Sequence, residues 1–316
     1  MKAVAAFFAI LFAASPAHAQ SWPAKPVRLI VASTAGGYID RTARLVADMI
    51  AQRLGQPVLV DNRAGAGGNL AAKATADASP DGYTLLATST QIAVNATLYK
   101  DPGFNAASDL DTIALAGSTP GILTVHPSNP ANTLQELIRN AKGNRLTHAS
   151  GVGTSSHIAA DYLFRQLAGL DAVHVPFKGG AQATTAVLGN QVEVLNGTVG
   201  SSIPYVKQGR LKALAVLSPR RVAALAQVPT AAESGFPGFQ ELSWVAFFGP
   251  AKLPAPIIER VNAHVNESLS LPDVSKALGE LGMEITPSSA AESAAFVRRE
   301  LEVWARIVRA TGVTVD

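Results

Sequence analysis

One pattern constrains this chain more than any other. Short apolar runs rich in β-branched residues alternate with stretches of helical period, and the alternation occurs twice. That order is the mark of an α/β fold with largely parallel strands. Residues 27–32 (VRLIVA) read as the first strand. Ala43, Val46, Ala47, Ile50 and Leu54 then recur at helical spacing, and Gly55 ends the run. Residues 58–60 and 84–88 read as further strands. Residues 113–115 and 122–125 flank Gly117-Ser118-Thr119-Pro120, which reads as a crossing point between lobes. The second alternation has a helix over 133–142, a strand over 146–149, a helix over 154–167 stopped by Gly169, and strands over 192–195 and 211–217. In the tail, Pro256 opens a helix carrying Ile257, Val261, Val265 and Leu269. Ser289 and Glu292 form a capping-box pattern ahead of Val297, Leu301, Trp304 and Val308, and Gly312 stands where a C-terminal glycine belongs.

Composition removes several function classes. Of 316 residues, 48% are hydrophobic and 16% charged, enough to bury a core and too apolar for disorder. No cysteine is present, which excludes disulfides, thiolate metal sites and thiol nucleophiles. The net charge of +3 is small and the basic residues are scattered, so nucleic acid is not an expected partner. Residues 1–19 read as a cleavable signal peptide. Lys2 is followed by an apolar run over 3–14, and Ala17-His18-Ala19 is a small-x-small cleavage pattern that places the cut after Ala19. The run is shorter than the ~20 residues a membrane span needs. The expected location is therefore the periplasm, where ATP and nicotinamide cofactors are not supplied; no cofactor is expected.

Two strand-to-helix turns carry the chemistry. Ala32-Ser33-Thr34-Ala35-Gly36-Gly37-Tyr38-Ile39-Asp40 passes from a strand through small and hydroxyl residues to a helix start. Ser150-Gly151-Val152-Gly153-Thr154-Ser155-Ser156-His157 repeats the device in the second alternation. Unpaired amides at such a helix start carry partial positive charge, and glycine admits a ligand close to the backbone. Each turn alone fits either an anion cradle or an ordinary connection; as a pair, one per lobe, they suit one shared anion. Lys178 could reach such an anion, with Phe177 as a cleft wall and Gly179 beside it; a solvated lysine next to a core phenylalanine fits equally. Asn62-Arg63-Ala64-Gly65-Ala66-Gly67-Gly68-Asn69-Leu70 has two glycines of a dinucleotide fingerprint but Leu70 in place of the third, so it reads as a packing turn. No Gly-x-Ser-x-Gly elbow occurs, His148 and His157 lack metal-ligand spacing, and no carboxylate pair stands out. Neither a catalytic residue nor a metal site is expected.

Taken in order, these residues resemble the substrate-binding proteins of tripartite tricarboxylate transporters, the Bug or TctC family. The likeness runs through residues 22–31 (WPAKPVRLIV), 54–58 (LGQPV), 62–68 (NRAGAGG), 79–86 (SPDGYTLL), 149–154 (ASGVGT), His157, 174–179 (HVPFKG), 212–216 (KALAV), 228–230 (VPT) and the Glu302/Trp304 tail. It implies a two-lobed periplasmic binding protein, type II-like, each lobe a mainly parallel sheet flanked by helices. Lobe 1 would comprise residues 20–118 and 218–316, and lobe 2 residues 119–217, with hinges near 117–121 and Leu217. It implies capture of a small organic acid, gripped through backbone amides and bridging water by Ser33, Thr34, Ala35, Gly36, Gly37 and Tyr38 on one side. Ser150, Gly151, Gly153, Thr154 and Ser155 would grip it from the other side, with Lys178, Gly179 and Asn196 nearby. Membrane transporter subunits or a sensor kinase would be the partners of a monomer. Two alternatives are a ligand-sensing module and a periplasmic hydrolase using Ser150 or Ser155. The chain departs from the family where Ala32, Ser33, Thr34 and Ala35 replace Pro-Phe-Pro-Pro, where Tyr38 replaces a small residue, where Ala186 replaces an acid, and where Asn196-Gly197 replaces Phe-Asp. Loss of that Asp removes a partner for a ligand ammonium, so a non-amino acid is expected.

Overall fold

The computed structural model describes residues 22–315, so the signal-peptide reading lies outside the described residues. The first half contains β1 (Val27–Val31), α1 (Tyr38–Leu54), β2 (Val58–Asn62), α2 (Asn69–Ala76), β3 (Thr84–Ser89) and α3 (Gln91–Leu98). Then β4 (Leu110–Val125) leads into α4 (Leu134–Ala141), β5 (Leu146–Gly151) and α5 (Ser155–Asp161), which runs on as a π-helical turn over Tyr162–Leu167. There follow β6 (Ala172–Phe177), α6 (Gly180–Leu188), β7 (Val194–Thr198), α7 (Val199–Lys207) and β8 (Lys212–Val216). The chain returns through β9 (Leu242–Pro250), α8 (Ala255–Ser270), α9 (Pro272–Glu280), β10 (Glu284–Ile285) and α10 (Ala290–Thr311).

The strand order is β2-β1-β3-β9-β4-β7-β5-β6, with β8 and β10 also pairing with β4. β1 pairs in parallel with β2 and β3, and β5 with β6 and β7. Each outer part of the sheet is therefore parallel, as expected. Between them stand antiparallel partners: β9 on β3 and β4, and β7 and β8 on β4. Residues 113–115 and 122–125, read as separate strands, are one strand of 16 residues. Its first part pairs with β9 as far as Pro120, and from Gly121 onward it pairs with β7. The Gly117-Ser118-Thr119-Pro120 segment is thus extended backbone passing from one half of the sheet to the other. Gly117 sits at φ +152° in the register shift that this needs.

The helices form where the periodicity puts them. In α1 the apolar stripe of Ile39, Ala43, Val46, Ala47, Ile50 and Leu54 is buried, and Gly55 closes the helix at φ +64°. The capping box at Ser289 and Glu292 is made in full, and Gly312 ends α10 in the left-handed region. The edge strand β6 and the strand β9 were not legible as strands. β6 carries the His174-Val175-Pro176-Phe177 motif, and β9 follows a Gly- and Pro-rich turn. The strand at 192–195 begins two residues later than its pattern suggests. One core cluster joins Ile30 and Leu86 of the first half to Leu146, Phe164 and Leu163 of the second, through Trp244, Trp304 and Val308. Burying side chains of this size contributes about 1.5–3 kcal/mol each.

Three crossings meet at one point. The Gly121 amide donates to the Glu241 carbonyl (2.9 Å), the Glu241 amide to Leu217 (2.8 Å) and the Leu217 amide to Gly121 (2.8 Å). A Cβ on Gly121 would drive into the Glu241 carboxyl and within 3.0 Å of Leu217. Gly121→Ala is therefore expected to lower stability by about 1–3 kcal/mol. Gly279→Ala, in open space inside α9, is expected to raise it by about 0.5–1 kcal/mol. Thermal melts of the two variants check the pair.

Candidate functional site

Open α/β sheets place ligands at the carboxyl ends of their parallel strands. Both expected loops lie there, at the ends of β1 and β5. In the first, Thr34, Ala35 and Gly36 are exposed. The Gly36 amide is already engaged, donating to Asp40 Oδ2 at 2.8 Å, and the Gly37 amide donates to the Thr34 carbonyl at 3.4 Å. Among the described residues, the amides of Ser33, Thr34, Ala35 and Tyr38 meet no acceptor. Asp40 thus fixes the loop's shape. Burial works against its charge, but the Gly36 amide, Asn62 and Arg44 outweigh that and hold its carboxyl below the usual range. Asn62 also ties the loop by donating to the Ser33 carbonyl at 3.1 Å.

The second loop is built differently. Thr154 caps α5, its Oγ1 accepting from the His157 amide at 3.3 Å. The Val152 amide goes to Phe177 and the Thr154 amide to Gly151. No protein acceptor takes the amides of Gly153, Ser155 and Ser156 among the described residues. Gly153 adopts φ +71°, open to glycine at little cost. Gly179 packs behind Gly151, 3.3 Å from where a Cβ would stand. Asn196 is buried and donates to the Ser156 carbonyl at 2.7 Å, anchoring the first turn of α5. Lys178 is exposed, with its backbone amide on Gln182.

The two loops are brought together along two routes. Asn95, wholly buried on α3, donates to the Gly67 carbonyl at 2.7 Å. Its free Oδ1 lies 2.9 Å from where a Gly153 Cβ would stand, and Gly67 Cα lies 3.5 Å from the same point. Gly68 rests against Ala32 and Gln91, and Gln91 donates to the Ala32 carbonyl at 2.8 Å. The Gly65–Gly68 turn, read as a packing turn, therefore lies between the start of the first loop and Gly153. The second route runs through the start of β9 and the residue just before it. The Tyr38 hydroxyl bonds Ser243 Oγ, and burial pushes its phenol up to about 12, so it stays neutral. Two residues earlier, Glu241 Oε1 accepts from Ser155 Oγ (2.7 Å) and Ser156 Oγ (3.1 Å).

Sequence reasoning missed Gln91, Asn95, Glu241 and Ser243. Gln91 and Asn95 had a signal: two amides four residues apart in an apolar helix, directly after the third parallel strand. Glu241 is a single acid before an apolar strand, which marks nothing in particular.

Beneath the second loop lies a polar cluster that the spacing of His148 and His157 did not suggest. Asp161 meets His148 Nε2 at 3.1 Å and His157 Nε2 at 3.4 Å. His157 stacks on His174 with ring centres 3.8 Å apart, and His174 Nε2 sits 2.9 Å from Ser150 Oγ. Burial opposes the Asp161 charge, but the two imidazoles hold its carboxyl well below the usual range. Ser150 is 1% exposed, so its hydroxyl serves this cluster and not the cleft. No cluster of potential metal ligands is found among the described residues.

The profile described as "Tripartite tricarboxylate transporter family receptor" matches residues 42–313. This chain belongs to that family. It is 32% identical to protein BugT of Bordetella pertussis (strain Tohama I) over 317 residues, covering 99% of this chain and 97% of the relative. Among solved structures it is similar to MatC of Rhodopseudomonas palustris with bound malate, at 30% identity and a TM-score of 0.84, covering 91% of this chain and all of that one. It is also similar to R. palustris Rpa4515 with adipate, at 29% identity and a TM-score of 0.86, covering 93% and 99%. The family is one of periplasmic solute-binding proteins. No helix among the described residues is long and apolar enough to cross a membrane.

Glu241 yields a prediction with a definite sign. Burial pushes its carboxyl up to about 7, only partly offset by Ser155, Ser156 and Asn196. The folded chain then holds a proton that the unfolded chain releases near its ordinary value of 4.5. Its stabilising contribution is full below that value and is lost as pH rises to about 7. Glu241→Gln should melt above the native protein at pH 8, and the gap should close toward pH 5. Calorimetric melts across that range check it.

Proposed function

We propose that this chain is a periplasmic receptor that captures a small organic anion, a carboxylate that is not an amino acid, between the two loops and delivers it to tripartite tricarboxylate-type uptake. The reading rests on one observation: backbone amides without protein acceptors stand on loops from both halves of the sheet, joined through shared neighbours. Malate and adipate in two related structures supply the ligand class. The lobes of this reading are residues 20–118 with 218–316, and 119–217, hinged where Gly121, Leu217 and Glu241 meet. The signal peptide of residues 1–19 delivers the chain to the periplasm.

A charge-assisted hydrogen bond contributes ~1.5–3 kcal/mol net. Several of them suffice for the ~8 kcal/mol of a micromolar complex, provided the loops are already shaped. Asp40, Asn62, Thr154 and Asn196 do that shaping before any guest arrives. A guest gripped from both sides favours the closed arrangement because only there does it meet both sets of amides.

The hydrolase reading has less support. Ser150 does have a base at 2.9 Å. Burial first, then the neighbouring His157 and His148, push His174 down to about 3. A base that weak takes no useful fraction of a serine proton at neutral pH. Ser155 has Glu241 as its partner, and its hydroxyl is spent holding that carboxyl. The reading is therefore capture without catalysis.

Thermal-shift titration with malate, adipate and other organic acids tests this. An acid present at 100 times its Kd should add about 2.7 kcal/mol and raise Tm by several degrees. Folded protein that no organic acid stabilises would end the proposal. Aspartate and glutamate should bind more weakly than their desamino analogues in calorimetry; the reverse order would overturn the exclusion of amino acids. Gly153→Ala puts a methyl 2.9 Å from Asn95 Oδ1 on a backbone at φ +71°. It should weaken the best acid about tenfold or more, as expected for at least ~1.4 kcal/mol of strain and lost fit.

A further inference from the structure

We propose that Glu241 makes anion capture proton-linked: the cleft takes its organic anion together with a proton held on this carboxyl, which sets affinity without touching the guest. The inference rests on the receptor reading above and adds to it a determinant on the floor of the site.

Glu241 occupies the point where the three crossings meet, its amide on Leu217 and its carbonyl on Gly121. Only 1% of it is exposed. Oε1 takes the hydroxyls of Ser155 and Ser156, the same two buried residues whose amides meet no protein acceptor among the described residues at the start of α5. Oε2 is buried against Gly121 and receives no hydrogen bond among the described residues. This carboxyl therefore sits under the helix start that the guest's carboxylate would use, one side chain away from it.

The surroundings do not neutralise it. From α1 it faces Tyr38, which is neutral. Farther along α5, Asp161 is paired with both His157 and His148. Asn196 on β7 donates from Nδ2 to the Ser156 carbonyl, carries no charge, and only partly offsets the burial of Glu241. Gly121, Leu217 and Ser243 bring no charge, and no Lys or Arg forms an ion pair with Glu241 among the described residues. An ionised Glu241 and an anionic guest would thus share one helix terminus in a low-dielectric site, where like charges repel strongly. Protonation removes the repulsion and leaves both serine hydroxyls an acceptor. Burial already pushes the group up to about 7, and an arriving anion pushes it in the same direction. Lower pH therefore tightens binding, and each unit above neutrality weakens it, by at most tenfold.

Isothermal titration calorimetry with malate and with adipate, at pH 6.5 and 8.5 and in buffers of different ionisation enthalpy, tests the inference. The native protein should bind the better acid more than tenfold more weakly at pH 8.5 than at 6.5, and should take up between about half a proton and one proton per ligand at pH 7.5. Glu241→Gln keeps an acceptor for Ser155 and Ser156. It should bind equally within twofold at both pH values, with no proton uptake. Binding by the native protein that is flat with pH, binding that tightens as pH rises, or a pH dependence that persists in Glu241→Gln overturns the inference and leaves the receptor reading standing. The absence of binding to either acid at both pH values overturns the two together. Should Glu241→Gln not fold, the native protein's proton count decides alone.

Discussion

Two halves of a sheet that share one strand cannot move independently of that strand. β4 carries the chain from one half to the other, and at Gly121 it is clamped by backbone hydrogen bonds to Leu217 and Glu241. Those bonds fix where the second parallel set starts relative to the first, so the carboxyl ends of β1 and β5 approach each other. The rest follows from that placement. Turns at strand ends leave amides unpaired at helix starts, and here two such turns face common neighbours.

The molecule shapes its two turns by different means. The first is held from below by a charge: Asp40 takes the Gly36 amide and is itself held by Asn62 and Arg44. The second is held by neutral groups and one carboxyl, with Thr154 capping, Asn196 anchoring and Glu241 seating the serine hydroxyls. The histidine cluster beneath it satisfies Ser150 and gives β5, β6 and α5 a common polar core. Buried networks of this kind favour one arrangement, although His148 Nδ1 and His157 Nδ1 find no partner here among the described residues. Asp161 with its two imidazoles fits that role better than chemistry, since the imidazole nearest a serine is held neutral.

Much of this was legible in the sequence. The stripe from Ile39 to Leu54, the Thr154 and Ser289 caps and the glycines at 55 and 312 are local signals, and local signals survive folding. The two strand-to-helix turns were legible as connections because glycine and hydroxyl residues break the apolar run of a strand and open a helix. Long-range consequences were not legible. That Gly117-Ser118-Thr119-Pro120 lies within one strand depends on β9 lying alongside it, and β9 is distant in sequence. Nor was it legible that the hydroxyls of Ser150 and Ser155 face His174 and Glu241, partners 24 and 86 residues away that no spacing rule connects. The Gly65–Gly68 turn was read as packing, and it does pack, against Gly153 on one side and Ala32 on the other.

The central claim is that open amides from both halves converge on one anion. Crystals grown with an organic acid that stabilises the protein test it most directly, through difference density in the cleft. The account predicts a carboxylate between residues 33–38 and 153–156, within hydrogen-bond reach of backbone nitrogens from both stretches. Density for the acid on another face of the molecule, or bound by only one of the two loops in a closed molecule, would contradict it.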